Sequence, residues 1–171
     1  MGIEPDTKDW TWVLHRPCPE CGLDAGAVPA EQVAARIRVS AAAWVEVLNG
    51  EVRERPAPDV WSPLEYACHV RDVLRLYDVR LGLMLTQEDP LYENWDQNET
   101  AIAERYGEQD PSQVAVELAE AARTIADRFA GLTPQQWSRT GRRSDGATFT
   151  VESFSRYFLH DIVHHLRDVQ G

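Results

Sequence analysis

Four stretches of the sequence repeat apolar residues at intervals of three and four, the spacing that lines one face of an α-helix, and this pattern confines the chain to a helical architecture. The first predicted helix runs from about Pro29 to Leu48. Its stripe is Val33, Ile37, Ala41, Trp44 and Leu48, with a proline in the first turn and Gly50 at the stop. The second has the best-marked start: Ser62-Pro63-Leu64-Glu65 joins an N-cap serine, a proline at the first helical position and a glutamate that completes a capping box. Its apolar face, from Tyr66 through Val70, Leu74 and Tyr77 to Met84, carries it to about Leu85. Asp110-Pro111 opens a third long helix striped by Val114, Leu118, Ala121, Ile125 and Phe129 and ended by Gly131. Thr150 caps the fourth, Val151 to about Val169.

The intervening segments are less regular. Residues 86 to 109 read as a long connection with a short helical pattern around Glu99 to Tyr106, a length often associated with function. Leu132 to Trp137 reads as one helical turn, Ser138 to Ala147 as polar and turn-like, and no strand series is predicted. The expected fold is therefore all-α: a four-helix bundle over residues 29–171, preceded by an irregular extension over residues 1–28.

Charge and composition exclude several function classes. With 17 Lys and Arg against 28 Asp and Glu the net charge is −11, and no cluster of basic residues offsets it, so nucleic acid is not an expected partner. No apolar run reaches the ~18 residues of a membrane span. The first 30 residues hold Glu4, Asp6, Asp9 and Glu20 where a targeting segment would be basic and then apolar. Three cysteines, an odd number, argue against a disulfide framework. Together these features predict a soluble cytoplasmic protein, with a homodimer expected only because two-fold assemblies are common.

Of five histidines, three lie in the last predicted helix. His160 and His164 are four apart, one turn above one another, which allows two imidazoles to hold one metal ion. They fall on the polar side with Ser153, Arg156 and Arg167, whereas His165 falls at the edge of the apolar face and reads as a partly buried core residue. A third ligand is needed, and His69, on the flank of the second helix's apolar face beside Leu76 and Arg80, is the candidate; its alternative role is a hydrogen-bonded structural histidine. Three imidazoles with an open position make a catalytic metal site that acidifies a water or thiol, and imidazole favours Zn, Ni, Cu or Fe over Mg or Ca.

The stretch Trp61-Ser62-Pro63-Leu64-Glu65-Tyr66-Ala67-Cys68-His69-Val70-Arg71-Asp72, followed some ninety residues later by His160-Asp161-Ile162-Val163-His164-His165-Leu166, resembles the DinB superfamily of metalloenzymes. Its relatives include mycothiol- and bacillithiol-linked enzymes such as maleylpyruvate isomerase. The resemblance covers the chain from about residue 30 onward and implies a bundle whose divalent metal, Zn or Ni, is held by His69, His160 and His164. It implies most concretely a thiol S-transferase or isomerase role, in which the metal presents a low-molecular-weight thiolate to an electrophile, since the thiolate is the nucleophile. Lys8 is the only lysine in a chain rich in Ala, Arg and Trp, a composition that suggests a GC-rich bacterial source and mycothiol as the thiol. Arg71, Arg80, Arg156 and Arg167 are candidate anion-binding groups or ordinary solubilising arginines. Asp161 and Asp168 are candidate orienting partners for a ligating imidazole or plain surface carboxylates. Cys68 reads as a small core residue.

Cys18-Pro19-Glu20-Cys21-Gly22 resembles one knuckle of a zinc ribbon without its second half. The readings, in order, are a packing role, a structural zinc site and a redox pair; the βαβ context of a thioredoxin-like pair is missing. A four-ligand site here requires Cys68, His15, a carboxylate such as Asp24, or a partner chain. The leading function is thus a metal-dependent transferase, isomerase or hydrolase acting on a small molecule. The alternative is a non-catalytic, stress-associated helical-bundle dimer whose metal is structural or absent.

Overall fold

The computed structural model describes Ile3 and residues 9–170. Glu4, Asp6 and Lys8 lie outside the described residues. The four predicted stripes each become a helix: α1 (Val33–Val47), α2 (Pro63–Thr86), α4 (Pro111–Ala130) and α6 (Val151–Gln170), with the shorter α3 (Gln97–Ala103) and α5 (Pro134–Trp137) between them. The helix expected from Pro29 starts later as α-helix. No side chain caps it, and its first turn, Ala30–Gln32, tightens into 3-10 geometry with Gln32 N–H donating to Pro29 C=O at 3.0 Å. α1 and α2 each pack against both α4 and α6, so α1 lies diagonally across the bundle from α2. Trp44, Leu64, Leu74, Leu118, Ile125 and Phe158 fill the centre with almost no exposure, and Tyr77 stacks on Phe154 and Phe158 at 4.8 and 5.1 Å. Among the described residues no helix is long and apolar enough to cross a membrane.

The start of α2 is built as its sequence demands. Glu65 N–H donates to Ser62 Oγ at 3.2 Å and Ser62 N–H to Glu65 Oε2 at 2.8 Å, while the Arg55 fork donates to both Glu65 oxygens at 2.9 and 2.5 Å. Burial pushes the Glu65 carboxyl up, but Arg55 and the cap donors outweigh it and hold the group below its ordinary value. Its stabilising contribution is therefore complete above the unfolded pKa near 4.5 and disappears as pH falls through the lower folded value. Glu65→Gln is expected to cost about 1–2 kcal/mol at pH 7. The gap from wild type in urea unfolding should shrink at pH 3, and an equal gap at both values would show that the charge is not the source.

A small sheet, absent from the sequence expectation, joins the connections at one end of the bundle. β1 (Leu91–Tyr92) pairs in parallel with β2 (Thr140–Arg143), which forms an antiparallel hairpin with β3 (Thr148–Thr150). These strands are too short to show an alternating pattern, and β1 meets its partner only through the fold. A Cβ on Gly141 would sit 2.8 Å from Met84 Cγ, so glycine lets the hairpin lie directly on the end of α2. The sheet fixes Asn94, whose N–H donates to Ser144 Oγ at 2.7 Å, and brings Arg143 toward α6.

The N-terminal segment is a strap across α6. Short 3-10 turns at Thr11–Leu14 and Ala25–Ala27 pack on that helix, and Val13, Ala25 and Val28 are buried.

Candidate metal centre

α6 carries the chemistry. Thr150 and Ser153 exchange hydrogen bonds at its start, Ser153 N–H to Thr150 Oγ1 at 3.1 Å and Thr150 N–H to Ser153 Oγ at 3.0 Å, which fixes where the helix begins. From there two i,i+4 pairs interleave: His160 with His164, and Asp161 with His165, the second about 100° around the axis from the first.

The Asp161–His165 pair faces His69 of α2. His165 Nε2 lies 2.9 Å and His69 Nε2 3.5 Å from the same Asp161 Oδ1, and the three residues bring one ligand atom each within 4.8 Å of one another. His69 is fully buried between Trp61 and Trp95, with ring centroids 5.5 Å from each and its plane 4° from that of Trp95. Its Nε2 has only the 3.5 Å contact to Asp161, longer than a well-formed hydrogen bond, and its Nδ1 has no hydrogen-bond partner among the described residues. An imidazole fixed this firmly, with one nitrogen unpartnered and the other only loosely met by a carboxylate, suits a metal ligand better than a hydrogen-bonded structural role. Nitrogen and oxygen ligands about 2.0 Å from one ion stand about 2.8 Å apart at right angles and about 3.3 Å apart in a tetrahedron, within about 0.2 Å of the two observed separations. Burial disfavours charge on His165, yet Asp161 and Asp168 outweigh it and raise its pKa to about 9. Burial likewise opposes the Asp161 carboxylate, and His165 and His69 hold it well below the usual range. The outer nitrogen of His165, Nδ1, is 3.0 Å from Asp168 Oδ2, a carboxylate placed to orient the ring.

The structure does not bring His69 together with His160 and His164. Those two join Cys18 and Cys21, all four offering ligand atoms within 4.8 Å of one another. The polar face of α6 that carries them is covered by the strap, so His160 and His164 are 4% and 9% exposed instead of open to water. Burial, with His164 adding to it, lowers His160 to about 4. The residues that fold beside the cysteine pair are these histidines, not Cys68, His15 or Asp24: Cys68 is buried in α2 with its Sγ donating to Tyr106 C=O at 3.8 Å. Burial pushes the Cys21 thiol up to about 11, which opposes a free thiolate nucleophile.

Both clusters border a cavity of about 790 Å³. His160, Asp161, His164 and His165 line one side, and Arg80, Arg143, Asn94 and Trp95 another. Arg80 is 4% exposed; it donates to Glu93 C=O at 2.7 Å and lies over the rings of Tyr92 and Tyr77 at 4.7 and 5.3 Å. Among the described residues no carboxylate pairs with it, and burial lowers its pKa. Arg143 is paired with Asp145 at 2.9 Å and donates to Tyr157 Oη at 3.4 Å. The other candidate arginines lie elsewhere. Arg71 pairs with Asp72 and Glu117, Arg156 fastens the strap through Val28 C=O at 2.9 Å and pairs with Glu152, and Arg167 is exposed near the C-terminus of α6. The sequence reading missed Asp161 and His165 as a converging pair and Arg143 as a cavity residue. The first had a signal in their i,i+4 spacing, and the second depends on the unforeseen hairpin.

A four-helix bundle with groups of metal-ligating side chains beside an open cavity is the class that this fold and site define. The chain belongs to the DinB superfamily, whose model matches residues 32–169. YfiT from Bacillus subtilis, described as a probable metal-dependent hydrolase with an unusual four-helix bundle topology, has a similar structure. The match has a TM-score of 0.64 at 20% identity and covers 99% of this chain and 92% of that one. No curated protein matches the chain in sequence.

Proposed function

We propose that the chain is a metal-dependent enzyme acting on an anionic small molecule, with His69, Asp161 and His165 as the ligands of the catalytic ion. The carrying observation is the convergence of two imidazoles and a carboxylate beside the cavity, with His69 buried and its Nδ1 unpartnered among the described residues. This set keeps the expected His69 and replaces His160 and His164 by the pair one residue on. A divalent ion there, Zn or Ni, supplies Lewis acidity that lowers the pKa of a water or thiol and so generates a nucleophile at neutral pH. Three protein ligands leave room for that group, which favours catalysis over a closed structural site.

The protein's own groups set the rest. Trp61 and Trp95 hold His69 in one orientation, Asp168 orients His165, and the His165 proton must leave when the ring becomes a ligand. Arg80 offers a desolvated cation to a carboxylate or phosphate on the substrate. The resemblance to mycothiol-linked enzymes favours a low-molecular-weight thiol as the activated group, with transfer of its sulfur to an electrophile, in the cytoplasm.

Protein loaded with Zn or Ni is expected to consume mycothiol with an anionic electrophile, and His69→Ala should lose at least about 100-fold of that rate. Ester or amide hydrolysis without thiol consumption would move the reaction to water. Absence of both activities in fully loaded protein would overturn the enzyme reading.

A further inference from the structure

We propose that Cys18, Cys21, His160 and His164 form a second metal site, a closed structural zinc centre that fastens the N-terminal strap to α6. The four residues come from two places 139 or more positions apart, a separation that only the fold can close. Cys18 Sγ and His164 Nδ1 stand 3.6 Å apart. With Zn–S about 2.3 Å and Zn–N about 2.0 Å, a tetrahedral angle places sulfur and nitrogen about 3.5 Å apart, so this edge is within about 0.1 Å of the length that a zinc ion requires.

Three further observations point to an ion at the same place. His160 Nε2 is buried without a hydrogen-bond partner among the described residues, a costly condition that ligation would remove. The knuckle is closed by its backbone, Gly22 N–H to Cys18 C=O at 2.8 Å and Cys18 N–H to Leu23 C=O at 3.0 Å. Gly22 holds φ +77°, where glycine is favoured. His164 Nε2 is 3.2 Å from Glu20 Oε2, inside the Cys-x-x-Cys loop itself, so the outer nitrogen has the carboxylate partner that ligating histidines commonly use. Two thiolates and two imidazoles form a soft, tetrahedral set suited to zinc, and four protein ligands leave no open position.

The consequence is a division of labour on one helix. His160 and His164 would secure the strap, while Asp161 and His165 remain available to His69. Because Trp10 and Glu20 line the cavity, the zinc centre also positions part of the cavity wall. The segment is tightly built around the knuckle: a Cβ on Gly26 would lie 2.1 Å from the Leu14 carbonyl oxygen.

Elemental analysis of full-length protein purified in zinc without a His-tag tests this together with cobalt substitution. Wild type is expected to hold two ions per chain. Cys18→Ser and Cys21→Ser should each lose one and keep the other, and His69→Ala should lose the other and keep the one bound by thiolates. Wild type loaded with Co²⁺ should show a thiolate-to-cobalt charge-transfer band, a readout that requires no variant to fold. One ion per chain with that band would sustain the zinc centre and count only against the cavity metal. Unchanged metal content in both cysteine variants, or a cobalt-loaded protein with no thiolate band, would overturn the proposal.

Discussion

Trp44→Ala is expected to lower the free energy of unfolding by about 3–5 kcal/mol, the largest stability loss anticipated for a single side chain here. Trp44 is completely buried on α1, and its indole N–H donates to Ile162 C=O of α6 at 3.2 Å. The substitution removes the ring from a packed centre and also a polar link from α1 to the helix that carries both pairs of ligating side chains. Trp44→Phe should cost less because most of the volume remains. Val39→Ala, at a position 72% exposed on the same helix, should fall within about 0.5 kcal/mol of wild type. Urea midpoints at constant slope would separate the three. A loss below about 1 kcal/mol for Trp44→Ala would mean that the bundle repacks around the gap.

Asp161→Asn should have the largest effect on the site. The amide removes the carboxylate that His69 and His165 share, and the cavity ion is expected to bind at least about 100-fold more weakly in a zinc titration. The metal-free protein provides a second readout. His165, raised to about 9 by its carboxylate neighbours, contributes stability that is complete below its unfolded value of 6.5 and lost as pH rises through 9. Asp161, held low, contributes above its unfolded value of 3.8 and less as pH falls below it. The pair therefore stabilises most between these limits, by something on the order of 2 kcal/mol. Asp161→Asn should reduce the alkaline decline, with Asp168 sustaining the remainder, and lower the His165 pKa toward its ordinary value in an NMR titration. An unchanged zinc affinity with an unchanged titration would eliminate Asp161 as the central group of the site.

The helices were legible in the sequence because each announces itself locally. A stripe at three-to-four spacing, a Ser-Pro-x-Glu or Asp-Pro start and a glycine stop involve neighbours in the chain, and local hydrogen bonds enforce them whatever the tertiary context. The inventory of ligating side chains, the Cys-x-x-Cys knuckle and the spacing of the histidines were present in the same way. The short strands were not, since β1 and β2 pair across some fifty residues and neither is long enough to show its period.

Only the tertiary structure decided which ligands meet. Consecutive residues on a helix point about 100° apart, so the run His160 to His165 offers two ligand pairs, and the sequence contains nothing that assigns each pair to a neighbour. Packing α2 against one side of α6 brings His69 to Asp161 and His165; laying the strap over the adjacent side brings Cys18 and Cys21 to His160 and His164. The strap has no helical period to predict its path, and its position follows from burying Val13, Ala25 and Val28 against the bundle. Residue types and their order along each helix come from the chain alone, whereas the partition of one histidine-rich helix between two clusters of ligating side chains depends on which surfaces cover its faces.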